Sequence, residues 1–227
     1  MYQPMLFLHW KQVRFGLIPF ILAAFALPLL NIQGLGTIPG EMAVGLDAYR
    51  IVSENQEWLM FYPLLAAGIG MTLALSAWNW DHQLKHVYAL SLPLTRLEYT
   101  MLKMGAGAVL TLLPVAALWL GAHAASMAVA LPDGLHAYPN QLAFRFMLAA
   151  LVSYSLLFAM AAGTIKTTIT IISSIVVLVL VAPVFEVFLV DTFLSLAETP
   201  LLVTLVEFAL DFGPFEVFTG NWSLIDV

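Results

Sequence analysis

Five stretches of this chain contain no charged residue. No Asp, Glu, Lys or Arg lies between Arg14 and Glu41, Glu57 and Asp81, Lys103 and Asp133, Arg145 and Lys166, or Lys166 and Glu186. A bilayer's hydrocarbon core is about 30 Å thick and an α-helix rises about 1.5 Å per residue, so one crossing takes about 20 mostly apolar residues. Each stretch is long enough for one crossing. Spanning helices are expected over 15–32, 58–78, 104–131, 146–163 and 168–188. The last is rich in Ile, Val and Thr, which in water would suggest a strand. In lipid it reads as helix, because a lone strand would leave its backbone groups unpaired. Only residues 163–167 separate the fourth span from the fifth, so those two should form a tight hairpin.

Composition agrees. Of 227 residues, 62% are apolar and 10% charged, with a mean hydropathy of +0.94. A soluble domain is about half apolar and about a quarter charged. The expected class is therefore all-α, a polytopic transmembrane bundle in a single membrane domain. A net charge of −6 offers no basic face for a nucleic-acid backbone. With no cysteine, disulfides, thiolate metal sites and cysteine nucleophiles are excluded.

Orientation follows from Lys and Arg in short loops, which favour the cytoplasmic side. Lys11 and Arg14 precede the first span, Lys85, Arg96 and Lys103 separate the second from the third, and Lys166 separates the fourth from the fifth. The opposite side holds Arg50 and Arg145. A multi-pass protein of the cytoplasmic (inner) membrane with its N-terminus inside is expected. Residues 1–14 mix apolar side chains with His9, Lys11, Gln12 and Arg14, and fit an interfacial helix lying on the inner leaflet; the plainer alternative is a flank of the first span. A cleavable signal peptide fits poorly, since the apolar stretch is long and no small-residue cleavage site follows. Residues 189–227 hold acidic side chains and no Lys or Arg, and are expected outside as a re-entrant or surface segment broken by Gly213 and Pro214.

The cytoplasmic segment 81–103, DHQLKHVYALSLPLTRLEYTMLK, is too long for a plain turn. Pro93 fixes a bend between Leu92 and Leu94, and a helix should start near Thr95 and run into the third span. A short apolar-faced projection tipped by Arg96 and Glu98 suits a groove on another protein. The run YALSLPLTRLEYTMLK resembles the segment after the second span of the type-2 ATP-binding-cassette permease family, matching at Leu92-Pro93, Thr95-Arg96, Leu97-Glu98-Tyr99 and Lys103. The likeness implies a coupling helix that inserts into a cytoplasmic ATPase subunit through Leu92, Pro93, Leu94, Thr95, Arg96, Glu98 and Tyr99. It also implies a second permease chain, so that two copies or two homologues form a pathway. That family usually has six spans. This chain stops at Val227 after an approach resembling the family's re-entrant segment, so a sixth span is expected to be missing or the subunit to differ.

The implied function is a permease subunit coupling a partner's ATP hydrolysis to translocation of an unknown substrate. The chain has no GxxxxGK[ST] loop, so hydrolysis is expected in the partner and this subunit is not expected to be an enzyme. No cofactor is called for. Two alternatives compete. A non-transporting scaffold subunit would lack an ATPase partner, and an ion-coupled carrier would need charges at mid-membrane, which the spans lack.

The remaining polar residues have bland readings. His82 and His86 stand four apart, but Gln83 breaks the HExxH pattern and no third ligand is evident, so no metal is expected. His123, near the outer end of the third span, reads as a hydrogen-bonded packing histidine. Arg145 and Lys166 read as snorkelling anchors, Glu186 and Asp191 as a solvated outer face, and the Gly68/Gly70 and Gly105/Gly107 pairs as sites of close helix contact.

Overall fold

The computed structural model describes residues 2–33, 59–83, 95–128, 135–163, positions 166, 169, 170 and 173, and 216–226 except 220. Four long helices dominate: α1 (Tyr2–Gln33), α2 (Phe61–Gln83), α3 (Arg96–Ala128) and α4 (Pro139–Ala161). All four are long and apolar enough to cross a membrane. Each takes up one of the first four charge-free stretches. The fifth expected span, and its hairpin with the fourth, lie outside the described residues but for isolated positions.

The helices overrun the charge-free stretches. α2 continues past Trp78 to Gln83, α3 starts at Arg96 rather than 104, and α4 starts at Pro139 rather than 146. A helix does not stop at the edge of the hydrocarbon layer. Its polar end turns persist where water or a partner satisfies them, and proline is well suited to the first position of α4 because its missing N–H has no helical partner there.

The expected separate helix over 1–14 is corrected. Those residues and the first span form one unbroken helix, and a single candidate span covers Met5–Asn31. The reason is a shared buried stripe: His9, Val13, Leu17, Ala24, Leu27 and Asn31 all face the bundle. A segment lying flat on the leaflet would have to turn that stripe away. Pro19 and Pro28 sit inside α1 without ending it, as neighbouring helices allow in membrane proteins.

The four helices form an up–down bundle. α1 runs antiparallel to α2: His9 meets Leu73 and Ser76, Phe20 lies over Gly68, and Asn31 reaches Tyr62. α3 runs antiparallel to α4, with Tyr154 against Gly107 and Trp119 bonded to Asn140. The most extensive packing joins the parallel pairs, α1 with α3 and α2 with α4. Small residues make these approaches possible. A methyl on Gly70 would lie 2.5 Å from Ser153 Cβ and 2.6 Å from the Tyr154 backbone nitrogen, and one on Gly121 would strike the backbone of Phe25. The interior is filled by Leu17, Ile69, Leu73, Leu118, Phe146 and Tyr154, all fully buried. The outer faces carry Phe7, Phe15, Leu22, Leu64 and Leu120, each more than half exposed. A continuous apolar exterior of this kind is the surface a bilayer covers.

One end of the bundle holds the starts of α1 and α3 and the ends of α2 and α4. Lys11, Arg14, Arg96 and Lys103 lie in its helical turns, so it is called the basic end below. At the opposite end a two-residue strand β1 (His136–Ala137) pairs antiparallel with β2 (Ile225–Asp226), with His136 opposite Asp226 and Ala137 opposite Ile225. A short helix α5 (Glu216–Thr219) precedes β2. The end of the chain is docked there: Trp222, Leu224 and Ile225 are buried.

Candidate coupling site at the basic end

The segment between α2 and α3 starts and finishes on one buried cluster. Asp81, on the last turn of α2, is 2% exposed, and Lys103, two turns into α3, is 7% exposed. Lys103 Nζ lies 2.6 Å from Asp81 Oδ2. The Tyr99 hydroxyl donates to the same carboxylate, 3.0 Å from Oδ1 and 3.1 Å from Oδ2. Tyr99 and Lys103 are four residues apart and therefore share one face of α3. The ammonium group also sits 4.6 Å from the centre of the Trp78 ring and 5.0 Å from that of Tyr99, within cation–π range. A buried charge needs partners of this kind, because desolvation alone would neutralise it.

The cluster is tied to the other helices. The Trp78 indole donates to the Phe158 carbonyl at 3.2 Å, and His82 Nε2 donates to the Ala161 carbonyl at 2.9 Å, which fastens the end of α2 to the end of α4. The Tyr154 hydroxyl donates to the Met104 carbonyl at 3.1 Å. From α1, His9 Nε2 donates to the Leu73 carbonyl at 3.3 Å and lies 3.2 Å from Ser76 Oγ. All four helices thus meet where the segment emerges.

Of the residues expected to contact a partner, Leu92, Pro93 and Leu94 lie outside the described residues. Thr95, Arg96 and Glu98 are exposed, as is Leu97 between them. Tyr99 is not: only 7% exposed, it points into the bundle and holds Asp81. The helix start is well defined. Glu98 Oε2 accepts from both the Thr95 amide and the Thr95 hydroxyl at 2.9 Å, and the Glu98 amide donates back to Thr95 Oγ1 at 3.3 Å. This reciprocal capping satisfies amides that the first helical turn leaves without partners.

The Asp81–Lys103 pair is not apparent from the residues alone, which read both charges as boundary markers. The available signal is their opposite sign at the two ends of one loop, with Tyr99 four residues before Lys103. His82 is bonded to a helix end and His86 lies outside the described residues. Among the described residues no group of three His, Cys, Asp or Glu could hold a metal ion.

At the opposite end, His123 Nδ1 donates to the Trp119 carbonyl at 2.9 Å, the packing role expected of it. Arg145 does more than anchor α4: its guanidinium donates to the Asn221 carbonyl and lies 5.9 Å from the centre of the Trp222 ring. Comparison with protein-family models, with characterised proteins and with solved structures finds no match to this chain.

Proposed function

We propose that this chain is a permease subunit of an ATP-driven transporter, resembling the type-2 ATP-binding-cassette family, and that the segment 81–103 docks on a separate cytoplasmic ATPase. The observation that carries the reading is the division of labour at the start of α3. Thr95, Arg96, Leu97 and Glu98 stand exposed on a capped first turn, while Tyr99 and Lys103, directly beneath them, are buried on Asp81. A free tip on a fixed base is what a force-receiving contact requires. A loop serving only to join two helices has no need of a buried ion pair.

The basic end is assigned to the cytoplasm by its excess of Lys and Arg. α4 finishes at that end, while residues 221–226 lie at the other, where β2 pairs with β1. An odd number of crossings between Gly163 and Glu216 accounts for this, in keeping with a fifth span over 168–188. The filled interior of the four helices leaves a cargo route to the seam between this chain and a second permease chain, a copy or a homologue. Whether a sixth span belongs to the assembly does not alter this scheme.

The test is purification of the full chain from its own membranes in mild detergent, with detection of bound nucleotide-hydrolysing proteins. A Walker-motif ATPase should copurify, and Leu94→Asp or Arg96→Ala should release it. Absence of such a partner, or its full retention by both variants, overturns the assignment and leaves the non-transporting scaffold as the better reading.

A further inference from the structure

We infer that Asp81, Lys103 and Tyr99 are positioning residues that lock α2 and α3 together at the base of the 81–103 segment, so that a push on its tip moves the bundle as one body. This deepens the docking role proposed above and rests on it for the source of the push, but the lock itself is a property of this chain alone.

The argument begins with energetics. Taking a carboxylate and an ammonium out of water is costly, and a buried pair often stabilises a fold no better than apolar side chains of the same size would. Packing alone would be served as well by two apolar residues at 81 and 103. What the pair adds is direction. Lys103 Nζ lies 2.6 Å from one oxygen of Asp81, and the Tyr99 hydroxyl spans both oxygens at 3.0 Å and 3.1 Å. The Trp78 ring lies 4.6 Å from the same ammonium and donates its own N–H to Phe158. Rotating or sliding α2 against α3 would break the ion pair, both tyrosine hydrogen bonds and the cation–π contact together. Apolar contacts would tolerate the same slip, because they have no preferred direction.

The site of the lock matters as much as its chemistry. Asp81 is on the last described turn of α2 and Lys103 on the second turn of α3, so the whole segment that would meet a partner lies between them. Any displacement of Thr95 or Arg96 reaches the bundle through these residues. Tyr99, which the sequence places among the contact residues, belongs to the lock.

The Cys-free chain allows a direct test by spin-label distances in nanodiscs. One label pair at Asn79 and Leu97, both exposed, reads the geometry of the base. A second pair at Met60 and Met127 reads the opposite end. In the chain alone the first distance distribution should be narrow. Asp81→Asn, Lys103→Met and the apolar double variant Asp81→Leu/Lys103→Met should each broaden it, while Tyr99→Phe should broaden it less. The double variant keeps the core packed, so it separates loss of direction from loss of folding. The charge-exchanged double variant Asp81→Lys/Lys103→Asp should narrow it again relative to either single change.

With the copurified ATPase bound, nucleotide should shift the second distance in the wild type, and the apolar double variant should reduce that shift by about fivefold or more while retaining the ATPase. A folded double variant with an unbroadened first distribution overturns the lock, as does one that transmits the nucleotide shift in full. Failure of any ATPase to bind the wild type overturns the docking role instead, and leaves the first measurement to decide the lock.

Discussion

Trp222, five residues from the last residue of the chain, stacks on Tyr62 in the first turn of α2: the rings lie 4° from parallel with centroids 6.3 Å apart. Tyr62 is fully buried, and its hydroxyl accepts from Asn31 Nδ2 of α1 at 3.5 Å. The Tyr138 amide donates to the Leu224 carbonyl at 2.8 Å, continuing the β1–β2 pairing, and Arg145 holds the Asn221 carbonyl. Residues Trp222, Leu224 and Ile225 are therefore part of the fold.

Trp222→Ala should destabilise the purified protein by about 3 kcal/mol, the usual cost of removing a buried large aromatic side chain. Thermal unfolding in detergent or nanodiscs measures it. Trp222→Phe should recover most of the loss, because the stack survives. Equal stability of all three proteins would show that the docked end contributes nothing.

Glycines at helix contacts should differ in a graded way. Gly70→Ala and Gly107→Ala should each cost about 1–3 kcal/mol by overpacking, since the new methyl meets the backbone of Tyr154 in one case and its ring in the other. Gly16→Ala places its methyl 3.2 Å from Thr72 Cγ2, the end of a side chain, and should cost clearly less. The order of the three melting temperatures is the check, and Gly16→Ala as the worst variant would contradict the described packing.

Thr95→Ala removes the capping hydroxyl at the start of α3 and should cost about 1 kcal/mol of helix-start stability. Because Thr95 is exposed and the bundle below it is fixed by Lys103, global unfolding should hardly move. Faster amide exchange confined to the first turn of α3 is the expected signature. Unchanged exchange there would mean that the Thr95–Glu98 pair does not hold the turn.

Single cysteines at Leu97 and Gln141, introduced into the Cys-free chain, should react with a membrane-impermeant maleimide from opposite faces of sealed vesicles. A cysteine at Glu216 should behave like Gln141, because β2 is paired with β1. Labelling of Leu97 and Glu216 from the same face would contradict the bundle topology and the fifth span proposed over 168–188.

What the residues determine alone is where the four described long apolar helices run, and the physical reason is solvent. Hydrocarbon offers no partner for a stray charge or an open backbone, so runs free of Asp, Glu, Lys and Arg mark the crossings before any packing is known. The helix start near Thr95 is legible for a similar local reason, since Pro93 forbids continuation and Thr95 opens a new turn. Only the tertiary structure decides which boundary charges meet. Asp81 and Lys103 look alike as markers of a loop, and it is the juxtaposition of α2 and α3 that takes both out of water and forces them to pair. The same holds for Tyr99, which the linear order groups with Arg96 and Glu98 but the turn of α3 directs inward. It holds for residues 2–14, whose mixed composition suits a surface helix until His9 and Val13 find the bundle, and for Trp222, whose partner Tyr62 is distant in the chain. Local chemistry sets where a helix can run, and packing sets which of its faces is buried and what that face must satisfy.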